Sequence, residues 1–469
     1  MKYITVDLGS TFIKSAILDI EGLTITRHPS FPMPQRLEDT GRRFEVSAEQ
    51  IYSITKQIID RSIEQYGEEI GGILFSTQMH GFVLADNRGK PLTPYVSWQD
   101  ERCLEEVPGR AGVSYLQHLE TLISRDEMEE TGVYLKAPLA LCNLYTMIQQ
   151  GLPPTDSGKT HFCTLGSYLI FRLTGQNVSH LTNAAPTGLA NVVQVEWEQS
   201  LIRKIGCEAF EFPKLRDSLD IAGFYSYQGL DIPVYPDVGD QQAAILGTLA
   251  KPGTDVSINI GTAAQISMIQ QDFRSGHYEI RPFFDGQYLY TISRMPGGRN
   301  LDVLIQFIQG IGASVFGVQV DKNEIWTSLQ GIIGDSSKGL RVNTSFFKTM
   351  EADAGAISQI TNENFEIATL FAAAYEDIAA TYDKYISVIC EDRGALERIV
   401  FSGGVSGKNP KLLEVIKRTT GLEGALPPLQ DEVFLGLFRL ALVCAGVCGT
   451  LAETDTFLKN KSMPVVREQ

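Results

Sequence analysis

Residues 3–11 read YITVDLGST, and residues 256–263 read VSINIGTA. In each stretch an apolar strand leads into a polar residue, an apolar residue and a glycine, and apolar residues resume after a short turn. The two stretches lie about half of the 469-residue chain apart, which is the spacing that two similar halves require. The sequence therefore predicts an α/β protein whose two duplicated domains face one cleft.

The length of the chain agrees with two domains. A chain of 469 residues is too long for one compact core, and 43% hydrophobic residues are enough to build more than one. We place the boundary just before Gly239, where a loop leads into a predicted helix. This gives an N-terminal domain of residues 1–238 and a C-terminal domain of residues 239–469.

Hydrophobic spacing predicts several individual elements. Residues 48–65 and 365–390 carry apolar side chains at helical intervals, residues 70–76 form an apolar strand, and the middle of the chain is expected to be mostly helical. The apolar stretch 435–452 contains Arg439 and is shorter than a comfortable membrane span. We therefore expect a buried helix there.

The charge balance excludes two classes of partner. Asp and Glu outnumber Lys and Arg by 56 to 40, and the resulting net charge of −16 does not suit nucleic acid or an anionic membrane. The seven cysteines are odd in number and scattered, which favours free thiols. The first residues are too polar for a signal peptide. We expect a cytoplasmic protein with small-molecule ligands, and a homodimer is left open.

The first chemical motif is the turn at Asp7, Gly9, Ser10 and Thr11, with Lys14 just beyond it. Glycine allows the backbone to approach a phosphate closely, and the two hydroxyl residues offer donors. Lys14 can add a positive charge, and Asp7 can hold Mg²⁺ through water, because magnesium gives up its water reluctantly. The alternative is an ordinary hairpin turn, in which Asp and Gly are common.

The second motif is Asp240, in a Gly-Asp-Gln-Gln-Ala-Ala stretch that enters a predicted helix. A carboxylate at this place can act as a general base that takes the proton of an accepting hydroxyl group. The alternative is a helix N-cap, a position that Asp often occupies. Local sequence alone favours the cap.

The third motif is the pair Gly403 and Gly404, followed by Asn409. Adjacent glycines let a flat adenine or a ribose rest against the backbone, and an asparagine can bond to the edge of the base. The alternative is a plain strand-to-helix turn. The stretch is not a P-loop, because the G-x-x-x-x-G-K-[ST] pattern is absent.

The fourth motif combines two loops that contain the polar and aromatic side chains typical of sugar sites. Sugars are bound by planar polar groups together with an apolar face. The candidate substrate-binding residues are Gln78, Met79, His80, Trp98, Asp100 and Arg102. The alternative for the charged members is a solvated surface pair.

These pieces, in this order and over nearly the whole chain, resemble the FGGY family of carbohydrate kinases. The resemblance implies two ribonuclease-H-like domains of the actin-like type, with the sugar in the first, MgATP in the second and catalysis in the cleft. It implies that Asp240 is the catalytic base and that the turn at Asp7 binds phosphate and Mg²⁺. The nucleotide-binding residues that it implies are Gly261, Thr262, Gly298, Gly403, Gly404 and Asn409.

The resemblance also narrows the substrate. Glycerol kinases of this family carry Arg-Glu where this chain has Met79-His80, whereas Gln78–Gly81 is similar to xylulokinase and sedoheptulokinase. The stretch 98–102 looks like a variant of a xylulokinase motif. Similarity to sedoheptulokinase is carried by residues 182–185, 259–265, 281–286, 288–289 and 297–301. A ketose such as sedoheptulose is the expected acceptor, with xylulose or another pentulose or polyol as the alternative.

Two departures from the family pattern bear on the sugar. The segment Pro138–Leu144 lacks the lysine and tryptophan that are often found there, and Thr182-Asn183 lies where many members have aspartate. Two further classes of function stay open as alternatives. One is a non-catalytic sensor of a sugar or nucleotide, and the other is an actin-like ATPase that binds proteins.

Overall fold

A computed structural model describes residues 1–38, 41–152, 159–347 and 354–468. In the described part of the first half, sixteen strands and seven α-helices are observed. In chain order the strands are β1 Lys2–Leu8, β2 Phe12–Asp19, β3 Thr24–Arg27, β4 Phe31–Pro32, β5 Glu45–Val46, β6 Ile70–Thr77, β7 Val83–Ala85, β8 Tyr95–Val96, β9 His161–Cys163, β10 Val178–His180, β11 Ala190–Asn191, β12 Glu196–Trp197, β13 Lys214–Arg216, β14 Gly223–Tyr227, β15 Leu230–Val234 and β16 Val238–Gly239. The helices are α1 Ala48–Tyr66, α2 Tyr115–Glu120, α3 Ala140–Gln149, α4 Leu165–Thr174, α5 Leu181–Ala184, α6 Gln199–Ile205 and α7 Asp240–Thr248.

The second half contains longer helices and fewer strands in its described part. The strands are β17 Asp255–Ile260, β18 Ala264–Gln270, β19 Glu279–Pro282, β20 Tyr288–Met295, β21 Arg341–Asn343, β22 Ala356–Ser358, β23 Arg398–Ser402, β24 Glu423–Ala425 and β25 Val465–Glu468. The helices are α8 Gly298–Phe316, α9 Lys322–Gln330, α10 Ile367–Ile389, α11 Pro410–Thr420, α12 Glu432–Cys444 and α13 Leu451–Lys461.

The two central sheets share a core of five strands with the same order and the same strand directions. This core runs β3-β2-β1-β6-β15 in the first sheet and β20-β18-β17-β23-β24 in the second. Within each core the second strand of the half is antiparallel to both of its neighbours, and the remaining pairs are parallel. This identity of topology confirms the duplicated α/β halves that the repeated stretch predicts.

The repeated stretch forms a tight hairpin in both halves, and the turn of the second hairpin is one residue shorter. In the first, the amide of Gly9 donates to the carbonyl of Phe12 at 3.1 Å, and in the second the amide of Gly261 donates to the carbonyl of Ala263 at 3.1 Å. Each hairpin therefore presents its turn at the same end of its sheet. The cleft opens at these two turns.

Most elements named from hydrophobic spacing form close to the predicted bounds. Helix α1 begins where the hydroxyl of Ser47 accepts from the amide of Gln50, and it ends at Gly67, whose φ is +54°. The middle of the chain is not mostly helical, because short strands β7–β16 alternate with α2–α6. Strands of two to five residues carry too little periodicity to be recognised.

Helices α7 and α12 lie side by side between the two sheets. The expected buried helix over 435–452 is observed as α12, which ends earlier, at Cys444. Arg439 is accommodated in this core because its guanidinium donates to the carbonyl of Leu246 at 2.6 Å and to Thr454 Oγ1 at 2.7 Å. Among the described residues, no helix combines the length and hydropathy that a membrane crossing needs.

The end of the chain returns to the first sheet, where β25 pairs with β3 in parallel. The predicted domain boundary falls inside β16, which pairs with β6 of the first sheet. The boundary stays a prediction.

Candidate active site

A cleft of about 520 Å³ lies between the two halves. From the first half, its wall includes the turn after β1, the loop after β6 and the segment before α3. From the second half it includes the hairpin of β17 and β18, strands β19 and β20, and the first turn of α12. The start of α7 enters it between them.

Asp240 is the first residue of α7 and lines the cleft. The capping position belongs to Gly239, so the N-cap alternative for Asp240 is wrong by one residue. Its carboxylate accepts from the amide of Gln241 at 2.8 Å. Burial, and then the nearby carboxylate of Asp7, raise the pKa of Asp240 to about 7, against the opposing effects of the Gln241 amide and Arg281. A base with this proton affinity is well matched to work near neutral pH.

Asp7 lies at the end of β1 and is almost fully buried. It accepts a hydrogen bond from Ser76 Oγ at 2.9 Å and lies opposite Lys14 in the hairpin. Burial raises the pKa of Asp7, while Lys14 and the hydrogen bond from Ser76 act in the opposite direction. The Lys14 ammonium lies 3.8 Å from the carboxylate of Asp431, the residue that precedes α12.

The turn after β1 divides into an inner and an outer part. Gly9 lines the cleft, whereas Ser10 and Thr11 are exposed at the tip and do not line it. Their hydroxyl groups are therefore open to a ligand that extends out of the cleft. Their binding of phosphate stays a prediction.

The matching turn in the second half packs against the start of α8. The amide of Gly298 donates to the carbonyl of Gly261 at 2.9 Å, and the amide of Arg299 donates to Thr262 at 2.9 Å. An added Cβ at Gly298 would lie 3.0 Å from the carbonyl oxygen of Gly261. These glycines therefore keep two backbone segments close together, and their contact with nucleotide stays a prediction.

The loop after β23 requires glycine at one of its two glycine positions. Gly403 has a φ of +87°, and a Cβ there would lie 2.7 Å from the carbonyl oxygen of Ile260. An added Cβ at Gly404 would have no heavy atom within 4 Å other than its chain neighbours. The Asn409 side chain is buried, caps α11 and donates to the hydroxyl of Tyr375 at 2.7 Å. Asn409 therefore holds this loop in place, and its contact with the adenine edge stays a prediction.

The loop after β6 supplies the proposed sugar end of the cleft. Gln78, Met79 and Trp98 all line it, and Trp98 is 39% exposed. The Oε1 atom of Gln78 is buried and has no hydrogen-bond partner within the described part of the chain. A buried acceptor without a donor is costly, so a ligand hydroxyl group is a suitable partner for it.

His80 is positioned by an unusual backbone conformation, with a φ of +67°. Its Nδ1 lies 2.7 Å from the carbonyl oxygen of Pro186, which can only accept, so Nδ1 carries the hydrogen. Burial, followed by the charges of Lys136 and Arg281, lowers the pKa of His80 well below its usual range. The ring is therefore neutral at pH 7, and its Nε2 is a hydrogen-bond acceptor.

Asp100 and Arg102 do not reach the cleft, and their assignment to substrate is wrong. Both are completely buried, and the guanidinium of Arg102 makes two hydrogen bonds of 2.8 Å to the carboxylate of Asp100. Arg102 also donates to Glu45 at 2.6 Å. This ion pair holds the loop that presents Trp98. Sequence alone could not show it, because a charged pair in a polar loop is usually solvated.

The cleft also contains charged residues that sequence reasoning missed. Lys136, Arg281 and Glu432 line it, and Glu279 lies behind the two cations and pairs with both. The sequence contains one sign of this cluster. Glu279 and Arg281 flank Ile280 in strand β19, so their side chains must lie on the same face of the sheet. Lys136 is also a lysine two residues before the segment Pro138–Leu144, which lacks the lysine that family members often have there.

Among the residues with described positions, no group of three or more His, Cys, Asp or Glu side chains is arranged to hold an ion. Asp7 and Glu432 nevertheless face the same cleft. Two separated carboxylates fit Mg²⁺ that is held mainly by nucleotide phosphates and water.

The chain has similarity to known proteins at the levels of family, sequence and fold. The sequence model described as the FGGY family of carbohydrate kinases, N-terminal domain, matches residues 2–247. A glycerol kinase from Thermococcus onnurineus is 28% identical over 267 residues, which are 55% of this chain and 52% of that protein. Glycerol kinase 2 of Saccharolobus solfataricus is 27% identical, over 96% of this chain and 90% of that protein.

The first of these matches spans only about half the length of the relative. In fold, the chain is similar to a xylulose kinase from Lactobacillus acidophilus, with a TM-score of 0.82 and 17% identity, over 97% of this chain and 92% of that one. This likeness confirms the expected fold of two ribonuclease-H-like, actin-like domains.

Proposed function

Because the chain belongs to the FGGY family of carbohydrate kinases, we propose that it transfers the γ-phosphoryl group of ATP to a terminal hydroxyl group of a small ketose. One observation carries this proposal. The Asp240 carboxylate lies in a single cleft with the phosphate turn at Asp7 and Gly9 on one side and the sugar residues Gln78 and His80 on another. A base between a donor site and an acceptor site is what phosphoryl transfer requires.

In the proposed mechanism, Asp240 accepts the proton of the attacking hydroxyl group. Little covalent chemistry is needed, because the transition state is loose and depends mostly on positioning and charge stabilisation. The first turn of α7 fixes the carboxylate through the amide of Gln241. Closure of the cleft around the sugar would exclude water, which otherwise competes as an acceptor.

The donor side is assigned to the hairpin turns and glycine loops. We propose that ATP phosphates lie against the turn at Gly9, with Thr11 and Lys14 near the γ-phosphoryl group, and that the nucleoside lies near Gly403. Asp7 would hold Mg²⁺ through water, with Glu432 as a second carboxylate of the same cleft. When bound, Mg²⁺ supplies charge that neutralises the transferring phosphoryl group.

A ketose is supported by the uncharged loop after β6. The resemblance places Arg-Glu here in glycerol kinases, whereas this chain places Met79 and a neutral His80 against the cleft. His80 Nε2 and Gln78 Oε1 are two acceptors that a chain of sugar hydroxyl groups can fill. Sedoheptulose is the proposed substrate, and xylulose or another pentulose is the alternative within the same chemistry.

The pKa of Asp240 predicts a pH dependence. The base works only when it is ionised, and burial and Asp7 raise its pKa to about 7. We therefore expect kcat/KM to rise about tenfold per pH unit below pH 7 and to level off above it. The measurement is kcat/KM for the ketose from about pH 5.5 to about pH 8.5, with MgATP kept well below its KM so that the free enzyme determines the profile. A flat profile over this range would contradict the assignment.

The substrate is tested by a panel of sedoheptulose, xylulose, ribulose, erythritol and glycerol with MgATP, with ADP release coupled to an absorbance change. We expect the highest kcat/KM for a ketose. Glycerol as the best substrate would contradict the argument from Met79 and His80. Bound ATP without turnover across the panel would favour the sensor alternative instead.

A further inference from the structure

A chain of polar contacts crosses the acceptor end of the cleft. Lys136, in the segment before α3, forms an ion pair with Glu279 of β19. The other oxygen of Glu279 accepts from Arg281 Nη2 at 2.8 Å and from its Nε at 3.3 Å. Arg281 Nη1 in turn donates to the side chain of Gln241. Lys136 and Gln241, at the two ends of this series of contacts, belong to different elements that line the same cleft.

The contacts fix the orientation of the Gln241 amide. Its Oε1 accepts from Arg281, and its Nε2 donates to Ser267 Oγ at 3.0 Å and to Thr291 Oγ1 at 3.2 Å. Arg281 can only donate a hydrogen bond, so the oxygen of the Gln241 side-chain amide must face Arg281 and its nitrogen must face the two hydroxyl groups. Gln241 directly follows Asp240 in the first turn of α7, and the backbone N–H of Gln241 donates to the Asp240 carboxylate.

Glu279 and Arg281 are buried, whereas 18% of the Lys136 side chain is exposed. Glu279 is 8% exposed and Arg281 is 4% exposed. Burial raises the pKa of Glu279, but the positive charges of Lys136 and Arg281 outweigh it and hold that pKa below its usual range. Buried ion pairs often contribute no more to the free energy of unfolding than hydrophobic side chains of similar volume would. We therefore look for the role of this arrangement in the positions of the groups that it connects.

The same two segments are also joined through their backbones. The amide of Ile280 donates to the carbonyl of Gly132 at 2.8 Å, and the hydroxyl of Tyr134 donates to the carbonyl of Tyr278 at 2.9 Å. A Cβ at Gly132 would lie 1.8 Å from the carbonyl oxygen of Ile280, so the approach is as close as glycine permits. The two halves of the protein are therefore fastened to each other at this end of the cleft.

We propose that Lys136, Glu279 and Arg281 form a clasp between the two halves, and that Arg281 is a positioning residue that orients Gln241 and the first turn of α7 for the acceptor. This inference rests on the proposed function. Asp240 is aligned with the acceptor only while these contacts hold the two halves of the protein together. Lys136 and Arg281 act through Glu279 and Gln241, and neither takes part in the proton transfer.

Arg281→Lys is the most informative variant, because it keeps the buried positive charge but replaces the planar guanidinium, whose different nitrogens bond to Glu279 and Gln241, with a single nitrogen. We expect kcat to fall about tenfold or more, since a misplacement of about 1 Å can cost about a hundredfold, while KM for ATP stays near the wild-type value. Lys136→Arg keeps a positive charge and hydrogen-bond donors, so we expect it to keep most of the activity. Lys136→Met has neither, so we expect its kcat to fall. Arg274→Gln is the matched control, since Arg274 is half-exposed and pairs with Glu391 outside the cleft.

Hydrogen exchange gives a readout that does not depend on turnover. In Arg281→Lys we expect faster exchange in a peptide that covers α7, Asp240–Thr248, with no change in the peptides of α1 and α10. This result would stand even if the sugar panel failed. Wild-type exchange in α7 together with wild-type kcat would overturn the proposal. Faster exchange across the whole protein with a lower Tm would also overturn it, because it would show a merely structural role.

Discussion

Replacement of Asp240 by asparagine is expected to lower kcat by about a hundredfold to ten-thousandfold, the range that general base catalysis contributes. Asparagine keeps the shape of the side chain and can still accept from the amide of Gln241, but it cannot take up the proton. The affinity for sugar should change little, because the cleft residues that would contact the hydroxyl groups are untouched. The measurements are kcat by coupled ADP release and the sugar Kd by calorimetry.

Asp220→Asn is a suitable control for this experiment. Asp220 is an exposed aspartate that accepts from Ser218 at 2.8 Å, so its replacement is expected to leave both kcat and Kd unchanged. Retained turnover in Asp240→Asn would remove Asp240 from the role of base. A large loss of sugar affinity with unchanged kcat would instead make it a binding residue.

Gly247→Ala is expected to destabilise the protein by about 1–3 kcal/mol or more and to lower its activity as well. Helices α7 and α12 touch through their backbones, and a Cβ at Gly247 would lie 1.8 Å from the carbonyl oxygen of Glu432. Gly436 makes the reciprocal contact, with its Cβ position 1.9 Å from the carbonyl oxygen of Ala243. Any separation of these helices displaces Asp240 relative to Glu432 across the cleft. Thermal unfolding and kcat are the two measurements.

Gly310→Ala provides the comparison, because Gly310 is also inside a helix but has no heavy atom within 4 Å of an added Cβ. An alanine there is expected to be neutral or slightly stabilising, by up to about 1 kcal/mol. Equal stability changes in Gly247→Ala and Gly310→Ala would contradict the helix contact described above.

The sequence was sufficient for the architecture because its main signals are local and repeated. Two copies of an apolar strand that ends in a glycine turn predict two similar hairpins, and the structure shows them with the same sheet order. Helices such as α1 have both a hydrophobic face and a cap in the sequence. The short strands of the middle region have neither, and their presence depends on pairing with distant partners.

The predicted residues that do line the cleft lie near the end of a strand, in a loop that follows a strand or at the start of a helix. Asp7 and Asp240 are of this kind, and the structure brings both into one cleft. The direction of a side chain in a loop is decided by its neighbours in space. For this reason Asp100 and Arg102 could not be recognised as a buried pair, and the clasp from Lys136 to Glu279 could not be seen at all.

The central claim is most directly tested by the products of the reaction. The protein is incubated with MgATP and the ketose that it prefers, and ADP and phosphorus-31 NMR signals are measured with and without the sugar. We predict one sugar phosphomonoester on a terminal carbon for each ADP, and much slower loss of ATP when the sugar is left out. ADP formed at the same rate without sugar, and with inorganic phosphate as the only other product, would contradict the assignment as a sugar kinase.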